Sequence, residues 1–284
     1  AYSTIANLGL IVACGGIGNY EAVWGGILLI IFHAIAKSLL FLSVGTVEHS
    51  IGSRDIEDMD GLIVRMPKVG IMMVIGIAGM FLAPFGMLIS KWAVLKAFID
   101  SNNIVLVILL VFGSAATLFF WTKWMGKIIS VVDGHTPNES HIHKDEWFSL
   151  VPLALLTIVV CFIFPTISKT LIEPYLNGVF GPGVLGLSEG NIKIMSMMLG
   201  MLVVLPIGML LVGKNHKIVP VYLGGANVGD NNKFYGTMGR TRDLSLKNYY
   251  MENYFGEKKL MLIGTIVTIS LLALVFAIIV GGLI

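Results

Sequence analysis

Apolar runs long enough to cross a lipid bilayer recur along this chain, and their recurrence limits what it can fold into. A helix needs about 20 apolar residues to span the hydrocarbon core. Seven stretches qualify: residues 2–18, 23–48, 67–100, 103–131, 148–166, 192–213 and 259–283. A spanning helix satisfies its backbone polar groups within its own segment, which lipid otherwise leaves unpaired. The expected fold is therefore all-α and polytopic, with about seven transmembrane helices. Composition agrees. Of the 284 residues, 56% are hydrophobic and 13% charged, against about a quarter charged in soluble domains. A net charge of +2 is too small to suggest a nucleic-acid partner. The chain starts without Met, inside an apolar run, so an N-terminal part of a longer polypeptide is expected to precede it.

The third run is too long for one straight span. It contains FLAPFGMLISK, with Pro84 and Gly86. Proline removes a backbone donor and clashes with the preceding turn. The expectation is a broken helix, roughly 67–83 and 87–100, with an unwound link whose polar groups face protein or water. Such breaks are common where transporters bind ions.

The connections are asymmetric in charge. Residues at or flanking 49–67, 132–147 and 214–259 carry most of the Lys and Arg, while the opposite side has Lys96, Lys169 and Lys193. The positive-inside rule puts the three basic connections in the cytoplasm. The start of the segment is then cytoplasmic and its C-terminus outside. Lys96 and Asp100 are expected to snorkel to the outer interface. Aromatic residues near span ends, among them Trp24, Trp121, Trp124 and Trp147, read as interfacial anchors.

Two charges fall where lipid should exclude them. The span containing FHAIAK holds His33 and Lys37 four residues apart, hence on one helix face. A mid-membrane lysine costs roughly 2.5–3.5 kcal/mol, so the pair should face protein interior or water. A lysine there serves either as a proton carrier or as a structural group tied to backbone carbonyls. Lys91 follows the Pro84–Gly86 break by about one and a half turns, with Ser90 beside it able to bond backbone or water. At an assumed separation of about 12 Å and an effective dielectric near 20, two charged lysines repel by about 1.4 kcal/mol. A proton on one would help expel a proton from the other.

AYSTIANLGLIVA, FHAIAKSLLFLSVGTVEHSIGSRDIEDMDGL and PFGMLISKWAVL resemble successive segments of the antiporter-like subunits of respiratory complex I, Mrp antiporters and membrane-bound [NiFe] hydrogenases. The resemblance covers residues 1–131 and implies part of an inverted-repeat fold, entered at the second helix of the second repeat. Beyond it, the apolar runs and loop charges give two additional helices in 132–213, a cytoplasmic loop over 214–258 and a last span over 259–284. The resemblance places His33 and Lys37 on a central hydrophilic axis and Lys91 at the broken-helix position that exchanges ions with the outer side. Glu48 and His49, at the cytoplasmic end of the Lys37 helix, read as supporting residues for proton uptake or as a solvated helix end. The tail, PVYLGGANVGDNNKFYGTMG with LSLKNYYMENYFGEKKL, looks like that of Ech-type energy-converting hydrogenase subunits.

What the resemblance implies is proton or sodium translocation by one membrane subunit of a redox-driven hetero-oligomeric complex in a prokaryotic cell membrane. The alternatives are a Mrp-type cation/proton antiporter subunit, an NADH–quinone oxidoreductase subunit, or a structural membrane scaffold. No cofactor is expected in this chain; nickel–iron and iron–sulfur centres are expected in partner subunits. Cys14 and Cys161 lie in apolar runs and read as small buried hydrophobes. His135, His141 and His143, near Asp133, Asp145 and Glu146, have no diagnostic metal spacing and read as solvated loop residues. GGANVGD lacks the strand–helix context of a phosphate loop.

Overall fold

The computed structural model describes residues 2–81, 86–132 and 139–183, and beyond them residues 193, 197, 200, 217–220, 233–235, 239, 241–243, 246–250 and 252–281. The helices are α1 (Tyr2–Ile17), α2 (Tyr20–Ile51), α3 (Leu62–Arg65), α4 (Pro67–Phe81), α5 (Gly86–Asp100), α6 (Ile104–Ile129), α7 (Lys144–Ile167) and α8 (Glu173–Phe180), and a last helix covers Glu257–Val280. Among the described residues five helical stretches are long and apolar enough to cross a membrane, the α4–α5 pair counting as one, and α1 is a shorter apolar helix. The expected span 192–213 lies almost wholly outside the described residues.

The centre of the molecule is α2. Asn19 caps its start, its side chain accepting from the Glu21 amide, and Gly52, at φ 73°, ends it by donating its N–H to the Glu48 carbonyl. At 1.5 Å per residue its 32 residues measure about 48 Å, longer than the roughly 30 Å hydrocarbon core. It packs against α1, α4, α5 and α7. Small residues let these helices approach: a Cβ added at Gly25 would stand 2.8 Å from a methyl of Val94 on α5. Close backbone approach of this kind is how helices associate where lipid supplies no hydrophobic drive between them.

Residues 67–100 form two helices, α4 ending at Phe81 and α5 starting at Gly86. Gly86 thus opens the second half, and Pro84 lies outside the described residues. The Gly86 amide, one of the orphan donors of a helix start, donates to Cys161 Sγ on α7 at 3.4 Å. Cys14 and Cys161 are free, buried thiols.

The fifth span runs further than expected. Helix continues past residue 166 through a π turn, Ser168–Ile172, into α8. Pro165 and Pro174 each lack an N–H, and the wider turn between them keeps the helix going; the Ser168 amide reaches both Phe164 and Pro165 carbonyls.

The basic connections gather at one end of the bundle. The Gly61 amide donates to the Lys127 carbonyl and to Ser130 Oγ, at 2.9 and 3.0 Å. The segment expected as one long loop instead contains short strands. β1 (Val131–Val132) and β2 (Lys217–Pro220) flank β5 (Leu246–Tyr250) in an antiparallel sheet of order β1-β5-β2, and β3 (Lys233–Tyr235) pairs with β4 (Thr241–Asp243). Leu246–Tyr250 and Lys217–Pro220 carry β-branched and aromatic residues that favour such pairing. The last helix buries none of its span against the described residues.

Candidate functional site

His33 and Lys37 lie near the middle of α2, and Lys91 lies on α5. His33 is 6% exposed, and its Nε2 has no hydrogen-bond partner among the described residues. It stands within electrostatic range of both Lys37 and Lys91. The three expected residues thus lie close enough for the histidine to sense both cations. The structure pairs neither lysine with a carboxylate among the described residues.

Each lysine is half-buried and has its own surroundings. Lys37 Nζ sits 5.0 Å from the ring centre of Trp121 on α6 and 5.7 Å from that of Phe41. Trp121 is 3% exposed, so its indole face attracts the ammonium inside the protein. The anchoring role expected for Trp121 is thus overturned, and that for Trp24 as well. Trp24 is 1% exposed and donates to Ser168 Oγ at 2.7 Å, and Ser168 in turn donates to Glu173. In both cases a neighbouring helix covers the ring before lipid can.

Lys91 lies between two clefts. One, of about 250 Å³, opens among α1, α5 and α6, with Asn7, Ser114 and Thr117 as its polar lining. The other, of about 310 Å³, opens among α4, α5 and α6 and shares Ser114 and Thr117. Ser90 is fully buried and donates to the Gly86 carbonyl at 2.9 Å, which takes the backbone option of the two expected for it. Asn7, Ser114 and Thr117 were not singled out from the sequence, and Trp121 was read there only as an interfacial anchor. A signal existed for three of them: positions 114, 117 and 121 are spaced i, i+3, i+7, one face of a helix.

The supporting residues divide. Glu48 pairs with Arg54 at 2.6 Å, and His49 is exposed, so both sit at a solvated helix end. At the other end of the bundle Lys96 does not simply reach water: Nζ bonds Glu21 and Asp100, both at 2.7 Å. His141 and His143 are exposed. Asp133 and His135 lie outside the described residues.

A second charge cluster closes the basic-loop end below Lys37. Glu57, 5% exposed, pairs with Lys123 at 2.6 Å and Lys127 at 2.8 Å, and Lys127 also meets Asp60 at 2.9 Å. The Trp124 ring stacks on Trp121 and its N–H reaches Met59 Sδ. Burial alone would push the Glu57 carboxyl up, but Lys123 and Lys127 hold it below the usual carboxylate range. A depressed folded-state value stabilises the fold above the unfolded value and stops doing so as pH falls through the folded one. Glu57→Gln is thus expected to cost about 3 kcal/mol at neutral pH. That penalty should shrink steadily as pH drops below the carboxylate range. Thermal unfolding in detergent across pH checks this, and a penalty independent of pH would refute it.

Residues 1–117 match the family profile described as NADH:quinone oxidoreductase/Mrp antiporter, transmembrane. Relatives named "Putative antiporter subunit mnhA2", from Staphylococcus aureus strains JH9, MRSA252 and USA300 / TCH1516, are each 32% identical over 216 residues. The alignment covers 64% of this chain but 26% of the relative, so the chain spans about a quarter of the length of the relatives it matches. His33, Lys37 and Lys91 all fall inside the segment that matches the profile.

Proposed function

We propose that this chain translocates protons, or sodium ions coupled to them, as one membrane subunit of a multisubunit complex in a prokaryotic cell membrane, its basic-loop end facing the cytoplasm. The observation that carries this reading is the trio itself: two intramembrane lysines without carboxylate partners among the described residues, and a buried histidine within electrostatic range of both. Intramembrane ionisable groups on a line are how proton relays are built. Lys37 and Lys91 would alternate in holding a proton, with His33 passing it between them. The clefts beside Lys91 supply polar groups that could carry it onward. Glu48 and His49 would at most collect protons from bulk.

Two versions of the complex follow from different observations. The tail resemblance supports a redox-driven, Ech-type [NiFe] hydrogenase, in which nickel–iron and iron–sulfur centres belong to partner subunits. The similarity to proteins named as antiporter subunits supports a Mrp-type cation/proton antiporter. Purification through a tag on this chain separates them: a co-purifying nickel–iron subunit and hydrogen-dependent ion pumping select the first, and their absence with sodium-dependent proton exchange selects the second.

The role of Lys91 has its own test. If it acts by titrating, Lys91→Glu retains a proton-carrying group and is expected to keep a sizeable part of the flux. Lys91→Ala is expected to lose at least tenfold, the usual scale for removing a proton-transfer group being 100-fold or more. Equal loss in both variants, measured as proton flux in proteoliposomes, would argue for a purely structural lysine.

A further inference from the structure

We infer that Glu146, at the start of α7, collects protons on the basic-loop side and feeds them to Lys37 through the hydroxyls of Thr46 and Ser43. This rests on the translocation reading above. By sequence Glu146 belongs with the loop histidines. The fold separates it from them: Thr46 Oγ1, on α2, donates to Glu146 Oε2. Thr46 is 4% exposed, so the carboxylate reaches into the bundle and not into the loop. The residue also lies beyond the segment that matches the family profile, residues 1–117.

From Thr46 the polar line continues inward. Ser43, one turn closer to the membrane middle, is 0% exposed, and its Oγ has no hydrogen-bond partner among the described residues. Residues three apart are neighbours on a helix, and Lys37 lies about 9 Å further along the axis at 1.5 Å per residue. A hydroxyl both accepts and donates, so it passes a proton by taking one and releasing its own. The balance is simple. Protonated Glu146 gives its proton to Thr46, Thr46 releases its own toward Ser43, and Ser43, about a third of a turn around the helix from Lys37, passes one through water to the neutral amine of Lys37. Glu146 is left as carboxylate, ready for the next proton from bulk.

The surrounding charges leave Glu146 to this task. On α2, Glu48 is held by Arg54 and His49 is exposed. At the start of α4, Lys68 lies over the Trp147 ring, and the Lys68 and Val69 amides are taken by Glu139. On α7 itself Lys144 and Asp145 are exposed, as is His143 before it.

The test uses the complex purified through this chain and reconstituted in proteoliposomes, with a potassium diffusion potential driving proton flux into a pH-sensitive dye. Glu146→Gln is expected to slow flux about tenfold at neutral pH on the basic-loop side. Glu146→Asp should restore most of it, and Thr46→Val should fall with Glu146→Gln. The Gln variant should regain flux in proportion to proton concentration as that side is acidified, because bulk protons then replace the lost collector. A merely structural Glu146 would give a loss independent of pH, which would overturn the proposal, as would unchanged flux in Glu146→Gln. Lys37→Ala, run alongside, keeps the two readings apart: normal flux there overturns translocation through this line altogether, whereas lost flux there beside a normal Glu146→Gln overturns only the Glu146 route.

Discussion

Lys37→Ala is expected to abolish ion flux through the complex while leaving its assembly intact. The energetics favour survival of the fold. The cation–π contact with Trp121 is worth up to about 2 kcal/mol when desolvated. An intramembrane lysine costs roughly 2.5–3.5 kcal/mol. Removing the side chain therefore gives back at least as much as it loses. Function does not survive on the same arithmetic, because Lys91 is then the one lysine amine among the described residues within electrostatic range of His33, and the proposed exchange between two lysines has lost one of its ends. Lys37→Arg sharpens the result. Arginine keeps the charge and stacks on the same indole, but it does not deprotonate in proteins. A titrating role predicts that it is also inactive, whereas an electrostatic placeholder would work with Arg. Proton flux into proteoliposomes, with subunit composition checked by gel, reads both outcomes. Normal pumping by an intact Lys37→Ala complex would sink the mechanism.

The sequence made the helices legible because lipid imposes a simple rule on length and polarity. The extents of α1 and α6 could be read from apolar runs, while the link expected at Pro84 lies outside the described residues. His33, Lys37 and Lys91 were readable for the same reason: a charge in an apolar run must be placed deliberately. What could not be read was which helix covers which side chain. Trp121 and Trp24 look alike as aromatic residues near span ends, yet both are buried, Trp121 beneath the Lys37 ammonium and Trp24 against Ser168, contacts that join distant parts of the chain. Glu146 is a similar case. Beside three loop histidines it looks solvated, and its contact with Thr46 depends on 100 residues of intervening chain. Nor could local pattern show Glu57 between Lys123 and Lys127, since the ion pairs join a loop to a helix end far along the chain. Continuation of the helix past Ile167 was not legible either, because a π turn, Ser168–Ile172, carries it into α8 and such a turn leaves no periodic mark in an apolar run.

Gly86→Ala is expected to produce the largest loss of stability of any Gly→Ala substitution among the described residues. A Cβ at Gly86 would lie 2.0–2.2 Å from three ring carbons of Phe32, far inside contact distance. Phe32 is 5% exposed, and the space beside it is only about 10 Å³, bounded by Ala36, Gly79, Thr157 and Cys161. A ring cannot move into a hole the size of one water. Either Phe32 leaves its rotamer or α5 withdraws from α2, and overpacking of this kind costs about 3 kcal/mol at the upper end of its usual range. Withdrawal would also break the Gly86 amide contact with Cys161 and move Lys91, which sits five residues along the same helix. His33 is the next residue after Phe32, so the strain reaches the proposed relay from both sides. Flux should therefore fall together with the unfolding midpoint, unlike the Lys37 variants, where only flux falls. Shortening the ring tests the cause. Phe32→Leu alone should cost stability, but combined with Gly86→Ala it should return at least about 1 kcal/mol, because residues in contact couple by that much. Strictly additive effects of the two substitutions would mean that α5 does not begin against Phe32, and that the approach of the broken helix to the relay is set elsewhere.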